Sequence, residues 1–308
     1  KGWIMRWQWR AMSLAIGFTV ASGAGLAMAA SPADKTDPGP ASPDRNWQIG
    51  FTPSYSSGNF GTNTTSTFFY APLSIRRLFR DGDVTLVIPF VTAMTNGAAT
   101  LIGGQPTQTL PASCLDNSGP GNAEDRPECQ GVGTGGTTSG VQGRKVTTAG
   151  LGDIILRGRY YVVEEKDYVP LVALTARMKL PTANEKLGLG SGAFDHGYGV
   201  EVSKLIGEKW LAFIDGGYNF IGDPDGFELR NQYWYDVGAG YYVTKDLLTS
   251  VYFDEYRSLV SGAQNIRDVF FAMNYRASSA WRFNGGVALG LSNGAPDYTL
   301  SIGTSYRF

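Results

Sequence analysis

From Trp47 to Phe308 apolar and polar residues alternate with a period of two. The segment Tyr298 to Phe308 is the clearest case. Tyr298, Leu300, Ile302, Thr304, Tyr306 and Phe308 fall on one face, and Thr299, Ser301, Gly303, Ser305 and Arg307 on the other. Successive side chains of a strand point to opposite sides, so this reads as a strand with one apolar and one small, polar face. The apolar face has aromatic residues at both ends and aliphatic ones between, which matches a lipid-facing stripe with interfacial girdles. Similar stripes recur at Val84-Leu86-Ile88-Phe90, Ile154 to Val162, Val172 to Leu180, Tyr233 to Val243 and Trp281 to Leu291.

About 12 such segments follow Trp47, each roughly ten residues long, the length a tilted strand needs to cross a bilayer. Short turns at Arg80 to Asp83, Glu164 to Asp167, Gly207 to Lys209, Thr244 to Asp246 and Ala277 to Ser279 alternate with longer links. Those links fall near 57–65, 95–150, 183–192, 222–228 and 293–297. The expectation is an all-β, membrane-spanning, antiparallel up-and-down barrel with short periplasmic turns and longer extracellular loops. A soluble sandwich is the alternative, but it would have to hide many tyrosines. Register is left open for 247–258 and 265–270, where Asp254-Glu255 and Arg267-Asp268 break the alternation.

The segment before Trp47 reads differently. Lys1, Arg6 and Arg10 precede an apolar run that ends in Ala27-Met28-Ala29, the pattern of a secretory signal over 1–29. Residues 30–45 read as a disordered periplasmic leader, and 46–308 as the barrel, which places it in the outer membrane of a Gram-negative bacterium. Cys114 and Cys129 lie in the long polar link of about 95–150, where an oxidising compartment favours a disulfide. That link reads as an extracellular flap, a constriction folded into the pore, or a mobile surface loop.

Composition sharpens the picture. Charged residues are 17% and glycines number 41 in 308; a closed sheet explains both, since charge is cheap only in the lumen and loops. Removing Lys1, Arg6 and Arg10 from the 26 basic residues leaves 23 against 27 acidic ones, a formal charge of −4. That balance gives no reason to expect a nucleic-acid partner.

Parity names the inward set. Its bases are Arg76, Arg157, Arg159, Arg177, Lys179, Arg230, Arg276, Arg282 and Arg307, and its acids Asp153, Glu201, Asp215 and Asp236. An acidic chain with a basic lumen points to anions, since rings of Arg and Lys favour them. The bland reading is cross-strand pairing that holds a narrow barrel together. Inward Phe68, Tyr70, Tyr161, Phe213, Trp234 and Tyr242 read as a track for aromatic or sugar-like solutes, or as packing that plugs the lumen. The expected partners are outer-membrane lipid, small solutes and the barrel-assembly machinery, engaged through Tyr306 and Phe308. The expected state is a monomer or weak homo-oligomer.

Enzyme chemistry finds little support. There is one histidine, His196, and no metal-binding or nucleotide motif, so no cofactor or metal is expected. Gly188 to Gly192 is glycine-rich but has no following helix. A lipase using His196 as base is the one catalytic class kept open, against an interfacial histidine on the lipid side.

Gly150-Leu-Gly-Asp153, Met178-Lys-Leu-Pro-Thr182, Leu187 to Gly192 with Asp195, Tyr218 to Gly222, Leu229-Arg-Asn231 and the Ser-Tyr-Arg-Phe308 ending together resemble an outer-membrane family. That family is named for the MetA pathway of phenol degradation. The resemblance covers about Trp47 to Phe308 and departs from the family pattern at the long cysteine-bearing link. It implies a transporter or channel for small organic molecules, and its motifs are architectural. The expected function is passive uptake of small organic solutes, anionic or aromatic carboxylates foremost, with a plugged structural or adhesion barrel as the alternative.

Overall fold

A computed structural model describes residues 46–62, 64–97, 99–109, 145–224 and 228–308. The signal and leader expected over 1–45 and the Cys114–Cys129 pair lie outside the described residues. Among the described residues there are sixteen strands: β1 (Trp47–Phe51), β2 (Ser54–Gly58), β3 (Ser66–Phe79), β4 (Gly82–Thr95), β5 (Ala99–Ile102), β6 (Gln105–Gln108), β7 (Val146–Leu151), β8 (Ile154–Val163), β9 (Leu171–Leu180), β10 (Asp195–Ile206), β11 (Trp210–Phe220), β12 (Gln232–Thr244), β13 (Leu247–Tyr256), β14 (Ile266–Arg276), β15 (Trp281–Gly290) and β16 (Tyr298–Arg307).

β1 continues into β2 and β7 into β8, so these four make two wall strands, and the wall is a closed antiparallel barrel of 12. Closure comes from β16, which pairs with β1 (Ile49 opposite Tyr306) and with β2 (Leu300 opposite Tyr55). The two interruptions have a common cause. Proline cannot donate to a ladder, and Pro53, Pro72 and Pro89 fall on three adjoining wall strands, with Pro72 directly opposite Pro89. Gly152, at the β7/β8 break, donates its N–H to the Pro89 carbonyl at 2.9 Å. A Cβ on Gly152 would come 2.9 Å from Val91 Cγ2 and 3.0 Å from Pro89 Cγ, so a larger residue there would push these side chains aside.

The five short connections fall where the alternation puts them. One long link was not expected from the pattern, Arg257 to Asn265, between β13 and β14. It lies in the stretch whose register was ambiguous. There, inward Asp254 is buried while Glu255 turns outward and accepts from Arg267 Nε at 2.9 Å. The ambiguity came from an ion pair on the outer face.

The outer surface is apolar, with aromatic contacts near both rims. At the short-turn end Trp210 packs on Tyr241 (4.8 Å) and Trp281 on Tyr306 (4.9 Å). At the long-link end His196 stacks on Phe220 at 4.9 Å and Tyr218 meets Phe220 at 5.2 Å. Tyrosine, tryptophan and histidine suit that depth because each has an apolar body and a polar tip.

The family-like motifs build one buried knot near the long-link end. Lys179, from the Met178 to Thr182 motif, is fully buried and lies 3.3 Å from Asp153 and 3.0 Å from Asp195. Its Nζ also donates to Ser191 Oγ. Asp153 accepts from the Ala183 N–H (3.1 Å) and Asp195 from the Gly222 N–H (3.0 Å). One ammonium therefore ties the starts of β8 and β10, the end of β9 and two links together.

Candidate functional site

The β5–β6 hairpin turns at Gly103 and Gly104, whose φ values of 59° and 87° require glycine there. Every described residue of both strands is buried, and Ala99 and Leu101 lie against inward wall residues, so this part of the long link packs inside the barrel. Ala99 and Leu101 pack with Phe68, Tyr70, Val87, Val91 and Ile155 of the wall. Ile102 packs on the other side with Leu229 and Leu259. Thr100 Oγ1 donates to the Gly188 carbonyl at 2.8 Å, which uses the glycine-rich link as a backbone partner and not as a phosphate cradle.

Beside the hairpin tip is a cavity with an empty volume of about 800 Å³, its open mouth included. Its walls carry Arg76, Arg157, Arg159, Arg177, Asp83, Asn219, Trp234 and Tyr256, with Gly103 and Gln105 of the hairpin.

The registers arrange the interior charges in slanted rows. One row runs Arg307, Gln48, Arg76, Thr85, Arg157, Arg177 on consecutive strands. A second runs Glu201, Asp215, Asp236, Asp254, Asp268 across β10 to β14, all five nearly fully buried. The basic surplus expected of the whole lumen does not hold as a description of it. Asp83, Asp195, Asp254 and Asp268 join the acids; five acids line up across β10 to β14, while Asp83 and Asp195 sit among the bases.

Among the expected lumen residues, Arg76 pairs with Asp83 at 2.7 Å, and Arg159 lies between Glu201 (2.9 Å) and Asp83 (3.6 Å). Asp215 accepts from the Val202 N–H at 3.1 Å. These residues fit the cross-strand pairing reading. Lys179 and Asp153 belong to the knot and not to the cavity. Arg276 sits at the short-turn rim and holds Asp246 at 2.8 Å. Arg282, on the next strand, is buried on the inner face. Arg230 is a correction: it precedes Gln232, where β12 begins, so it belongs to a link and not to the wall.

The aromatic set divides in two. Tyr70 and Phe68 pack against the hairpin, and Phe213 and Tyr242 join a packed cluster with Tyr252 and Phe270. Trp234 alone of the named set lines the cavity, stacked on Tyr256 at 6.0 Å and 14°. Inward glycines make room for these rings. A Cβ at Gly217 or Gly199 would come 2.8 or 2.9 Å from Trp234, and one at Gly286 would come 2.4 Å from Phe270.

Sequence reasoning missed Asp83, the hairpin and Tyr256. Asp83 has the parity of inward Thr85 and was read as part of a turn. The hairpin's signal is Gly103-Gly104 between two four-residue runs. His196 faces outward between Phe194 and Phe220, the place of an interfacial ring. Among the described residues no cluster suited to a metal ion is present.

The fold is that of known outer-membrane proteins. An outer membrane channel from Pseudomonas putida F1 aligns at 15% identity over 85% of this chain and 96% of its own, with a TM-score of 0.57. The KdgM porin, solved in complex with disordered oligogalacturonate, aligns at 8% identity over 85% and 99%, with a TM-score of 0.46. The toluene transporter TbuX of Ralstonia pickettii aligns at 12% identity over 86% and 89%, with a TM-score of 0.39. No curated protein matches the chain. The model of the family described as "Putative MetA-pathway of phenol degradation" matches residues 83–308, from Asp83 near the start of β4 through the closing strand, and the chain belongs to that family.

Proposed function

We propose that this barrel is a passive outer-membrane channel for small organic solutes, with a preference for anionic and aromatic carboxylate compounds. The observation that carries the reading is the cavity beside the hairpin tip, where Arg157 and Arg177 lie with the stacked Trp234–Tyr256 pair. Arginine rings favour anions, and an aromatic wall favours planar apolar bodies. In this reading residues 1–29 export the chain, Tyr306 and Phe308 serve assembly into the outer membrane of a Gram-negative bacterium, and no catalytic step is involved.

One observation favours a second reading, a structural barrel with a plugged lumen. The β5–β6 hairpin and the cluster of Phe213, Tyr242, Tyr252 and Phe270 occupy much of the interior. Liposome swelling separates the two. Proteoliposomes in isotonic sodium benzoate should swell faster than protein-free vesicles, and equal rates would favour the plug.

A further inference from the structure

The β5–β6 hairpin is held differently on its two faces. Ala99 and Leu101 alternate with Thr100 and Ile102 along β5, so the two pairs point to opposite sides. Ala99 and Leu101 pack into the buried cluster that includes Tyr70 of β3, Val87 of β4 and Ile155 of β8. At the tip the Gly103 carbonyl accepts from Arg177 at 2.8 Å. Gly104 lies against the Tyr70 ring, where a Cβ would come within 2.9 Å of it. This face is fixed to the wall by packing and by a hydrogen bond.

The other face meets the long links. Thr100 reaches the Gly188 carbonyl, and Ile102 packs with Leu229 and Leu259. Leu229 lies between β11 and β12, and Leu259 between β13 and β14. Both leucines stand on links, yet they are only 7% and 2% exposed, and Ile102 is 5% exposed. The two links are also joined to each other. The Arg230 N–H donates to the Leu259 carbonyl at 2.8 Å, and Arg257 Nη1 donates to the Asn231 carbonyl at 3.2 Å. They form one unit, and that unit meets the hairpin at Ile102 through apolar side chains.

The contact crosses the lumen. The hairpin is anchored on β3, β4 and β8, whereas the links rise from β11 to β14, on the far side of the closed wall. Gly103, next to Ile102, and Tyr256, which immediately precedes the 257–265 link, both line the cavity. A solute entering the cavity from the long-link end therefore passes this contact. An apolar constriction stops ions and polar solutes because water leaves it. Its side chains can part and meet again without exchanging hydrogen bonds.

We infer that Ile102, Leu229 and Leu259 form an apolar gate at the long-link mouth, closed in this structure. The joined links at 229–231 and 257–265 are its moving part, and the wall-anchored hairpin is its seat. The inference rests on the channel reading and names the contact that regulates flow through it.

The test is planar-bilayer recording of the refolded full-length protein in potassium chloride, with folding checked by circular dichroism. The wild type should be closed most of the time. Ile102→Asn and Leu259→Asn should each raise the open fraction about fivefold or more, because an amide is costly within an apolar contact. The size of the conductance step should stay as in wild type, since the hairpin and the cavity remain in place. Leu259→Ala should act in the same direction with a smaller effect, and covers the case in which the asparagine variants fail to fold. Leu187→Asn, at an exposed position on another link, should record as wild type does.

A wild type that stays open, or an unchanged open fraction in folded Ile102→Asn and Leu259→Asn, overturns the gate and leaves the channel reading standing. A larger step at an unchanged open fraction also overturns it, and makes these side chains part of a fixed constriction. A silent wild type with variants that open supports the gate. Silence in every variant removes the channel reading and the gate with it.

Discussion

Arg157 and Arg177 face each other across β8 and β9 on the inner wall, two like charges in directly opposed register. Such a pair costs stability on the order of 0.2–1 kcal/mol. Arg157→Gln should therefore relieve up to ~1 kcal/mol of repulsion, set against the loss of the other contacts of the guanidinium, while reducing the preference for anions. Urea unfolding followed by tryptophan fluorescence reads the first effect, and the reversal potential in a salt gradient the second. A variant that lost stability and kept full anion preference would show the pair to be structural.

Asp83 is the counter-case. It lies between Arg76 at 2.7 Å and Arg159 at 3.6 Å, and all three side chains are buried. Removing one partner of a buried ion pair costs about 3–5 kcal/mol, because the other charge stays buried and uncompensated. Asp83→Asn should show a loss of that order in urea. Surviving barrels should be more anion-selective, since Arg76 loses a carboxylate. A neutral effect on stability would mean the cluster is wet and screened.

The Lys179 knot is expected to support architecture and not transport. Lys179→Met leaves Asp153 and Asp195 without the ammonium that lies 3.3 and 3.0 Å from them. The expected loss is again about 3–5 kcal/mol. Adding Asp153→Asn and Asp195→Asn to that variant should restore part of it. If the triple variant is no better than the single one, the carboxylates are not what the lysine compensates.

The hairpin should limit flow. Replacing residues 99–108 with a Gly-Ser linker removes the buried strands and the Gly103 contact to Arg177. Single-channel conductance should rise several-fold, with less discrimination between benzoate and chloride. Unchanged conductance would place the constriction elsewhere.

The two-residue period was enough to read the barrel, because a wall strand with lipid on one side and a small lumen on the other repeats one pattern from Tyr298 to Phe308. It failed where another interaction overrode it. Glu255 faces outward because Arg267 and the Tyr235 hydroxyl meet it there, so two adjacent acids broke the parity and hid the 257–265 link. The site was legible only in part. Parity put Arg157 and Arg177 on the inner face, but which inward charges meet depends on register between strands. Only register sets Asp83 beside Arg159 and stacks five acids on β10 to β14. The hairpin was obscured because its strands are buried on all sides and show no alternation.

Planar-bilayer recording of the refolded protein in a potassium chloride gradient tests the central claim most directly. Discrete conductance steps should appear, with a reversal potential on the chloride side of zero, moving toward zero in Arg157→Gln. A silent bilayer, or steps whose reversal potential lies on the potassium side, would contradict an anion-preferring channel.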